Sequence, residues 1–292
     1  MNGKTLERTR LSDLLKEGTH MLAAAGIREA ALDAWLLLEY VTGMTRAQYY
    51  MEPDKAVEPD VEEAYRAALR RRQEHVPLQH ITGMQEFMGF PFHVNGNVLI
   101  PRQDTEILVE SALEKLEAGM QVLDLCTGSG CIAASLYLIG KEQKKISENT
   151  VFAAADISAD ALCVAEHNFR NLQTDIRAIQ SDLFQEIPWK FDMIVSNPPY
   201  IRTDVIEKLD EEVRIHDPYI ALDGKEDGLY FYRKIAREAP EHLKKGGWLF
   251  LEIGSEQRRE VSELLRSAGF DKVEGKKDLA GLDRVVMGMY NK

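Results

Sequence analysis

Asn197, Pro198, Pro199 and Tyr200 form an acceptor-rich corner behind Met193-Ile194-Val195-Ser196, whose short apolar run reads as a buried strand. The prolines hold φ at about −65° and donate no N–H, and Pro198 biases Asn197 toward extended backbone. A primary amide or an amino group carries two N–H donors that need partners. The Asn197 side-chain oxygen and the Pro198 carbonyl can accept one each, and Tyr200 offers a ring for a flat group to lie against. A planar nitrogen held in this way would face a donor of carbon. Asn197, Pro198 and Tyr200 are therefore candidate catalytic residues, and Pro199 joins them in binding the acceptor. The same four residues also suit a rigid turn that only ends a strand.

A second constellation lies upstream. Asp124-Leu125-Cys126-Thr127-Gly128-Ser129-Gly130 stands between a strand pattern and a helix pattern. Gly128 and Gly130 let backbone approach a ligand closely, and the helix N-terminus behind them favours a carboxylate or phosphate. With Ala133 the segment also fits the G-x-G-x-x-G/A dinucleotide pattern, which keeps a nicotinamide cofactor open. Asp124 can order the loop backbone and water near an ammonium group. Asp156 ends the next strand, where an acid takes both hydroxyls of a ribose. Asp182, after the third strand, can accept from the exocyclic amine of adenine, with Leu183 or Phe184 packed on its face. Three acids at successive strand ends suit an adenosine with an ammonium-bearing tail, as in S-adenosyl-L-methionine, better than a dinucleotide. Asn197 stands at the next strand end, where the methyl group would point.

The elements that must carry these residues can be read in order. Leu11, Leu14, Leu15 and Leu22 predict a helix stopped near Gly26, and Ala34, Leu37, Leu38 and Val41 predict a second ended by Gly43. A third follows Pro59 and runs to Arg70-Arg71-Arg72, a cluster that reads as a solvated helix end favoured by the dipole rather than as a nucleic-acid contact. Residues 1–76 are thus expected to form a helical substrate-docking domain. Residues 77–101 read as a linker containing a β-hairpin turned at Asn95-Gly96, between Phe90-Phe92-Val94 and Val98-Ile100. From 102 to 292, strand and helix patterns alternate and end in an antiparallel pair. That pattern predicts an α/β fold with a mostly parallel sheet and helices on both faces.

Composition bounds the function. The 292 residues carry a net charge of −12, most of it after residue 84. A protein that lives on phosphate backbones normally shows a basic footprint, so no direct nucleic-acid substrate is expected. No apolar run suits a membrane span and the polar N-terminus lacks a signal-peptide core, which fits a cytoplasmic location. Cys126, Cys131 and Cys163 make no disulfide or zinc pattern, and the seven histidines are scattered, so no metal is expected.

The loop at 124–130, the acid at Asp156 and Asn-Pro-Pro-Tyr at 197–200 together resemble a class I S-adenosylmethionine-dependent methyltransferase. Several further segments narrow the resemblance over nearly the whole chain. They are Pro77-Leu78-Gln79-His80-Ile81-Thr82-Gly83, Pro101-Arg102-Gln103-Asp104-Thr105-Glu106, Ala221-Leu222-Asp223-Gly224, Asp227-Gly228-Leu229, Glu252-Ile253-Gly254 and Lys277-Asp278-Leu279-Ala280-Gly281. With them the chain is similar to the bacterial peptide chain release factor glutamine N5-methyltransferases, the PrmC/HemK family.

The resemblance implies a Rossmann-like sheet with its last strand antiparallel. It implies cofactor contacts from Asp124, Cys126, Thr127, Gly128, Ser129, Gly130, Asp156, Asp182, Leu183, Phe184 and Asn197, with S-adenosyl-L-homocysteine as product. The implied acceptor is the glutamine of a Gly-Gly-Gln loop in a class I release factor. Three departures stand out: Cys126 where the family usually has glycine, expected to change only packing; Asp217-Pro218 for a common Glu-Pro; and Leu183 where some relatives stack a tryptophan on adenine. The acidic segment 204–217 reads as a lid or a solvated loop. Other acceptors stay open, namely glutamine of a ribosomal protein or an exocyclic amine of a nucleobase. So do a nicotinamide-dependent dehydrogenase and a non-catalytic docking protein.

Overall fold

Leu11, Leu14 and Leu22 line the buried stripe of α1 (Leu11–Ala24), and Tyr65 of the fourth helix packs over Gly18, leaving no room for a Cβ there. The computed structural model describes residues 9–292; the first eight, read as the start of the helical domain, lie outside the described residues. α2 (Ala30–Thr42) ends where Gly43 takes φ +65° and donates its N–H to the Glu39 carbonyl at 2.7 Å, a left-handed cap. α3 (Arg46–Met51), α4 (Pro59–Gln73) and α5 (Leu78–Thr82) complete this unit. The triple arginine at the end of α4 is not a uniformly solvated cluster. Arg72 is buried, and its Nε donates to Asp33 at 2.7 Å. Burial of the guanidinium stem and a charge-assisted bond draw it inward, as a buried charge requires a partner.

The chain divides into two compact units, one ending at Gly83 and the other beginning at Met84. The stretch 77–101 divides with it: α5 falls in the first unit and the hairpin in the second.

The hairpin turn is not Asn95-Gly96. β1 (Met84–Phe87) and β2 (Phe90–His93) pair antiparallel around Met88-Gly89, both at positive φ, 52° and 79°, the twist-matched geometry of a two-residue hairpin turn. The Met88 N–H donates to Glu106 Oε1 at 2.8 Å. Phe87 and Phe92 are both fully buried, so core burial selected the register and overrode the Asn-Gly signal. Asn95 turns its own loop instead, accepting the Asn97 N–H at 2.9 Å through Oδ1.

A short 3-10 turn (Gln103–Thr105) leads into α6 (Glu106–Leu113). Then come β3 (Gln121–Leu125), α7 (Cys131–Glu142), β4 (Val151–Asp156), α8 (Ala159–Asn171), β5 (Ile176–Gln180) and β6 (Phe191–Ser196). The acidic segment folds into short helices, α9 (Thr203–Ile206), α10 (Glu211–His216) and α11 (Tyr219–Leu222). α12 (Tyr230–His242), β7 (Leu243–Glu252), α13 (Arg258–Ser267), β8 (Phe270–Lys277) and β9 (Asp283–Tyr290) follow.

The seven-stranded sheet has the order β5-β4-β3-β6-β7-β9-β8. β3 pairs parallel with both β4 and β6, while β9 runs antiparallel to both its neighbours. This is the mostly parallel sheet with its last strand reversed that the sequence predicts. Apolar cores lie on both faces, one around Phe152, Met193 and Phe250, the other around Ile194, Tyr232 and Leu251. The strand order reverses between β3 and β6, so their carboxyl ends open onto a crevice.

Candidate functional site

The register Leu125↔Ser196 between β3 and β6 sets both constellations side by side. The glycine loop follows Leu125 and the Asn-Pro-Pro-Tyr corner follows Ser196, whose hydroxyl donates to the Leu125 carbonyl at 2.6 Å. Cys126, Gly128, Asp156, Asp182, Leu183, Asn197 and Pro199 line one cleft.

The loop is built around acids. Asp156 accepts the Gly128 N–H at 2.9 Å on Oδ2 and the Ser158 N–H at 2.9 Å on Oδ1. Each oxygen keeps a second lone pair free for a ribose hydroxyl. Burial raises the Asp156 carboxyl above its ordinary value. Asp124 lies beneath the loop rather than on the cleft wall. Its Oδ2 accepts from the Thr127 hydroxyl at 2.6 Å and the Ala133 N–H at 3.2 Å, while Oδ1 is buried with no partner. Desolvation pushes this carboxyl up to about 7. Thr127 and Ser129 are buried, and the Ser129 carbonyl accepts from Asn168 Nδ2 at 2.9 Å. Gly130, at φ +79°, caps α7 directly against the Phe169 ring.

Cys126 changes more than packing. It sits at φ +61°, a left-handed conformation that a glycine adopts freely and a side chain resists. Leu183 lines the cleft as an adenine-packing residue would, but Phe184 does not. Its ring is buried and stacks on His242, centroids 4.6 Å apart.

At the corner, Asn197 Nδ2 donates to the Thr105 hydroxyl at 3.4 Å, which turns Oδ1 away from Thr105. Among the described residues no donor is bonded to the Pro198 carbonyl. Tyr200 departs from the expected arrangement. Its ring lines a separate hollow with Leu229, Gly254 and Gln257, and its hydroxyl donates to Glu252 Oε1 at 3.3 Å. A buried phenol needs a polar partner, and Glu252 supplies it on the far side of the corner. Gln257 Nε2 donates to the Tyr200 carbonyl at 3.1 Å and the Gly228 carbonyl at 3.2 Å. A Cβ on Gly224 would meet the Tyr200 backbone at 2.7 Å. The motifs around Gly224 and Gly228 thus form the seat of the corner.

Residues 101–106 join the surrounding pieces. Arg102 pairs with buried Asp217 at 2.6 Å, Asp104 with Arg284 at 2.9 Å, and Arg284 with Asp278 at 2.8 Å. Sequence reading gave residues 101–106 only as marks of resemblance, because the partners of Arg102 and Asp104 lie more than a hundred positions away. It also missed the turn at Asn97-Val98-Leu99, and Pro218, Ile220 and Phe231, which close the cleft. The acid Glu252, ending the apolar run Trp248–Leu251, was a legible signal: a charge at a buried strand end.

Among the described residues the charged groups on the largely apolar cleft wall are Asp156 and Asp182, and Lys234 reaches Asp182 from behind at 3.6 Å. Such a wall repels a pyrophosphate and suits a nucleoside with a cationic tail. Among the described residues no group of ligands could hold a metal, and no helix is long and apolar enough to cross a membrane.

Residues 13–83 match the PrmC N-terminal domain and residues 103–213 the Methyltransferase small domain. The chain is 40% identical over 284 residues to a release factor glutamine methyltransferase from Clostridium botulinum, covering 94% of this chain and 98% of that protein. It is 41% identical over 273 residues to the protein of the same name from Agrobacterium fabrum, with 91% and 92% covered. A solved 16S rRNA N2 methyltransferase from T. Thermophilus, in complex with AdoMet and guanosine, shares the fold at 17% identity and a TM-score of 0.51, over 71% of this chain and 50% of that one. The family read from the motifs is the family these relatives carry.

Proposed function

The chain belongs to the release factor glutamine methyltransferases, and from that premise we propose that it transfers a methyl group from S-adenosyl-L-methionine to the side-chain nitrogen of the glutamine in a Gly-Gly-Gln loop of a class I release factor. The observation that carries this reading is the adjacency of the acid-lined glycine loop and the Asn197–Pro198 acceptors at paired strand ends. A wall whose charged lining residues are aspartates disfavours the nicotinamide reading. When bound, the donor supplies an electrophilic sulfonium methyl group.

This chain's residues have the remaining work of orientation. A carboxamide nitrogen is a poor nucleophile because its lone pair is delocalised into the carbonyl. Asn197 Oδ1 and the Pro198 carbonyl accept its two N–H groups, fix the amide plane and favour the more nucleophilic electronic form. Orientation of this kind can contribute up to about 7–11 kcal/mol. No side-chain base is needed before transfer, since the product amide sheds its proton easily. Asp156 holds the ribose, Asp182 and Leu183 take the adenine, and the 126–130 loop, with Asp124 beneath it, faces the ammonium end. Pro199, Pro218 and Ile220 keep water from the reacting groups. Tyr200 braces the corner instead of bracketing the amide. The helical unit docks the release factor.

Mass spectrometry of the release-factor glutamine after incubation with enzyme and labelled donor tests the assignment. The expected result is a single added methyl on that residue; label in DNA or ribosomal fractions alone would overturn it.

Asp124 gives a pH prediction. A cation bound over the loop above it favours its charged form through the field, so donor affinity is expected to rise with pH to about 7 and then level off. At pH 6 it should be about tenfold weaker. Without donor the linkage has the opposite sign. A carboxyl raised above its unfolded value contributes stability that is fully present below the unfolded pKa of about 4 and lost as pH rises through 7. Calorimetric titration of the donor between pH 5.5 and 8.5 reads the binding limb, which Asp124→Asn should flatten.

A further inference from the structure

Gln257 stands one residue before α13 and uses its whole carboxamide on the segments around it. Nε2 donates to the Tyr200 carbonyl at 3.1 Å and to the Gly228 carbonyl at 3.2 Å, and Oε1 accepts the Gly254 N–H at 2.9 Å. The Tyr232 hydroxyl of α12, whose nearer partner is the Glu252 carbonyl at 2.9 Å, lies 3.4 Å from the same Oε1. The approach is close enough to exclude side chains. A Cβ on Gly228 would stand 2.5 Å from the Tyr200 carbonyl oxygen and 2.7 Å from Gln257 Nε2, and one on Gly254 would stand 2.9 Å from Gln257 Oε1. Two glycine motifs that the acceptor chemistry leaves without a task therefore converge on one side chain.

The bond to Tyr200 matters because of what precedes it. Pro198 and Pro199 donate no N–H, so the backbone ties of the corner lie at its two ends. At one end Ser196 pairs with Leu125 and Leu251, and its hydroxyl donates to the Leu125 carbonyl. At the other, a single peptide plane carries both ties. The Ile201 N–H donates to the Leu222 carbonyl at 3.0 Å, and the Tyr200 carbonyl on the opposite edge accepts from Gln257. One bond leaves a peptide plane free to rock; two opposed bonds fix it. With φ set at both prolines, few torsions remain to absorb such rocking before it reaches the Pro198 carbonyl and Asn197. We propose that Gln257 is a positioning residue which pins the far end of the Asn-Pro-Pro-Tyr corner by the Tyr200 carbonyl, and so keeps the Asn197 and Pro198 acceptors where the glutamine amide meets the methyl group. The inference rests on the reading of Asn197 and Pro198 as those acceptors.

The donor and acceptor halves of the carboxamide can be separated. Gln257→Glu keeps an oxygen for the Gly254 N–H but turns a carboxylate toward two carbonyls, and only its protonated form can donate to one of them. The two carbonyl dipoles, with Asp227, Glu256 and Glu260 against Arg202 around the same hollow, hold the introduced carboxyl above its ordinary value. Burial keeps the Tyr200 and Tyr232 hydroxyls protonated throughout.

The test measures methyl transfer to release factor at saturating donor for Gln257→Met, Gln257→Glu and Asn197→Ala, from pH 5.5 to 8.5. Gln257→Met keeps the reach of the side chain and removes its bonds. It is expected to lower kcat by about 10–100-fold, since misplacing reacting groups by about 1 Å costs up to about 10²-fold. Donor Kd by calorimetry should match the wild type, because Gln257 lines a hollow separate from the cofactor cleft. For Gln257→Glu, kcat relative to the wild type at the same pH should be lowest at pH 8.5 and rise several-fold toward pH 5.5, as the carboxyl gains its proton. Wild-type kcat in Gln257→Met, a flat ratio across pH in Gln257→Glu, or a donor Kd that weakens in step with kcat overturns the pin. If Gln257→Met does not fold, the Gln257→Glu ratio decides alone. An active Asn197→Ala would remove the underlying reading; an inactive Asn197→Ala beside an active Gln257→Met removes only the pin.

Discussion

Asn197→Ala is expected to lower kcat for methyl transfer by at least about 10²–10³-fold, the loss seen when one preorganised polar partner of a reacting group is removed. Alanine takes away one of two acceptors and leaves the substrate amide free to rotate about its bond to Pro198. The nitrogen then spends little time aligned with the methyl. The effect should appear in kcat more than in donor affinity, since Asp156, Asp182 and the glycine loop remain. Stability should barely change: the side chain makes one long hydrogen bond, to Thr105, and the prolines hold the backbone. Single-turnover transfer to a purified release factor, with donor affinity by calorimetry, separates the two quantities. A variant that binds donor normally and transfers at the wild-type rate would falsify the acceptor role.

The acids at successive strand ends were legible in the sequence because strand and turn patterns there are strong. Asp156 and Asp182 need only a strand end to be placed on the cleft: Asp156 closes β4 and Asp182 stands just past Ser181 after β5. Asn197 was legible for the same reason. Residues whose positions depend on a partner far along the chain were not. Tyr200 is three residues from Asn197, yet its ring goes to the opposite side because Glu252, fifty residues later, offers the buried partner its hydroxyl needs. Phe184 reads as well as Leu183 for an adenine wall until His242 takes its face.

The hairpin shows the same contest. Asn95-Gly96 is the stronger local turn signal, but Met88-Gly89 buries both Phe87 and Phe92. Burying an aromatic side chain stabilises by about 1.5–3 kcal/mol, more than a turn preference supplies. Family likeness pointed to Thr105, Asp278 and Glu252 without a reason. The ion pairs through Arg284 and the Thr105 hydroxyl supply one, since each motif holds another in place.

Gly130→Ala is expected to destabilise the protein by about 2–4 kcal/mol, a large share of the roughly 5–15 kcal/mol a domain has to lose. Two costs act together. A side chain at φ +79° is strained by about 1–2 kcal/mol. The new Cβ would also stand 2.5 and 2.7 Å from Phe169 ring atoms and 3.2 Å from Ala165 Cβ, and overpacking a core costs about 1–3 kcal/mol. Reduced freedom of the unfolded chain returns only about 0.4–1 kcal/mol. Phe169 is buried, so the ring has nowhere to retreat without moving α8, and donor affinity should fall with the displaced loop. Gly128→Ala makes the control. Its φ is +55° but its Cβ meets nothing within 4 Å, so strain alone acts on stability. Its loss should instead fall on donor binding, because Gly128 lines the cleft and its N–H is held by Asp156. Denaturant unfolding and donor titration of both variants should therefore rank them in opposite orders. If Gly130→Ala unfolds like the wild type, the Phe169 ring is free to shift and the loop is not held from behind.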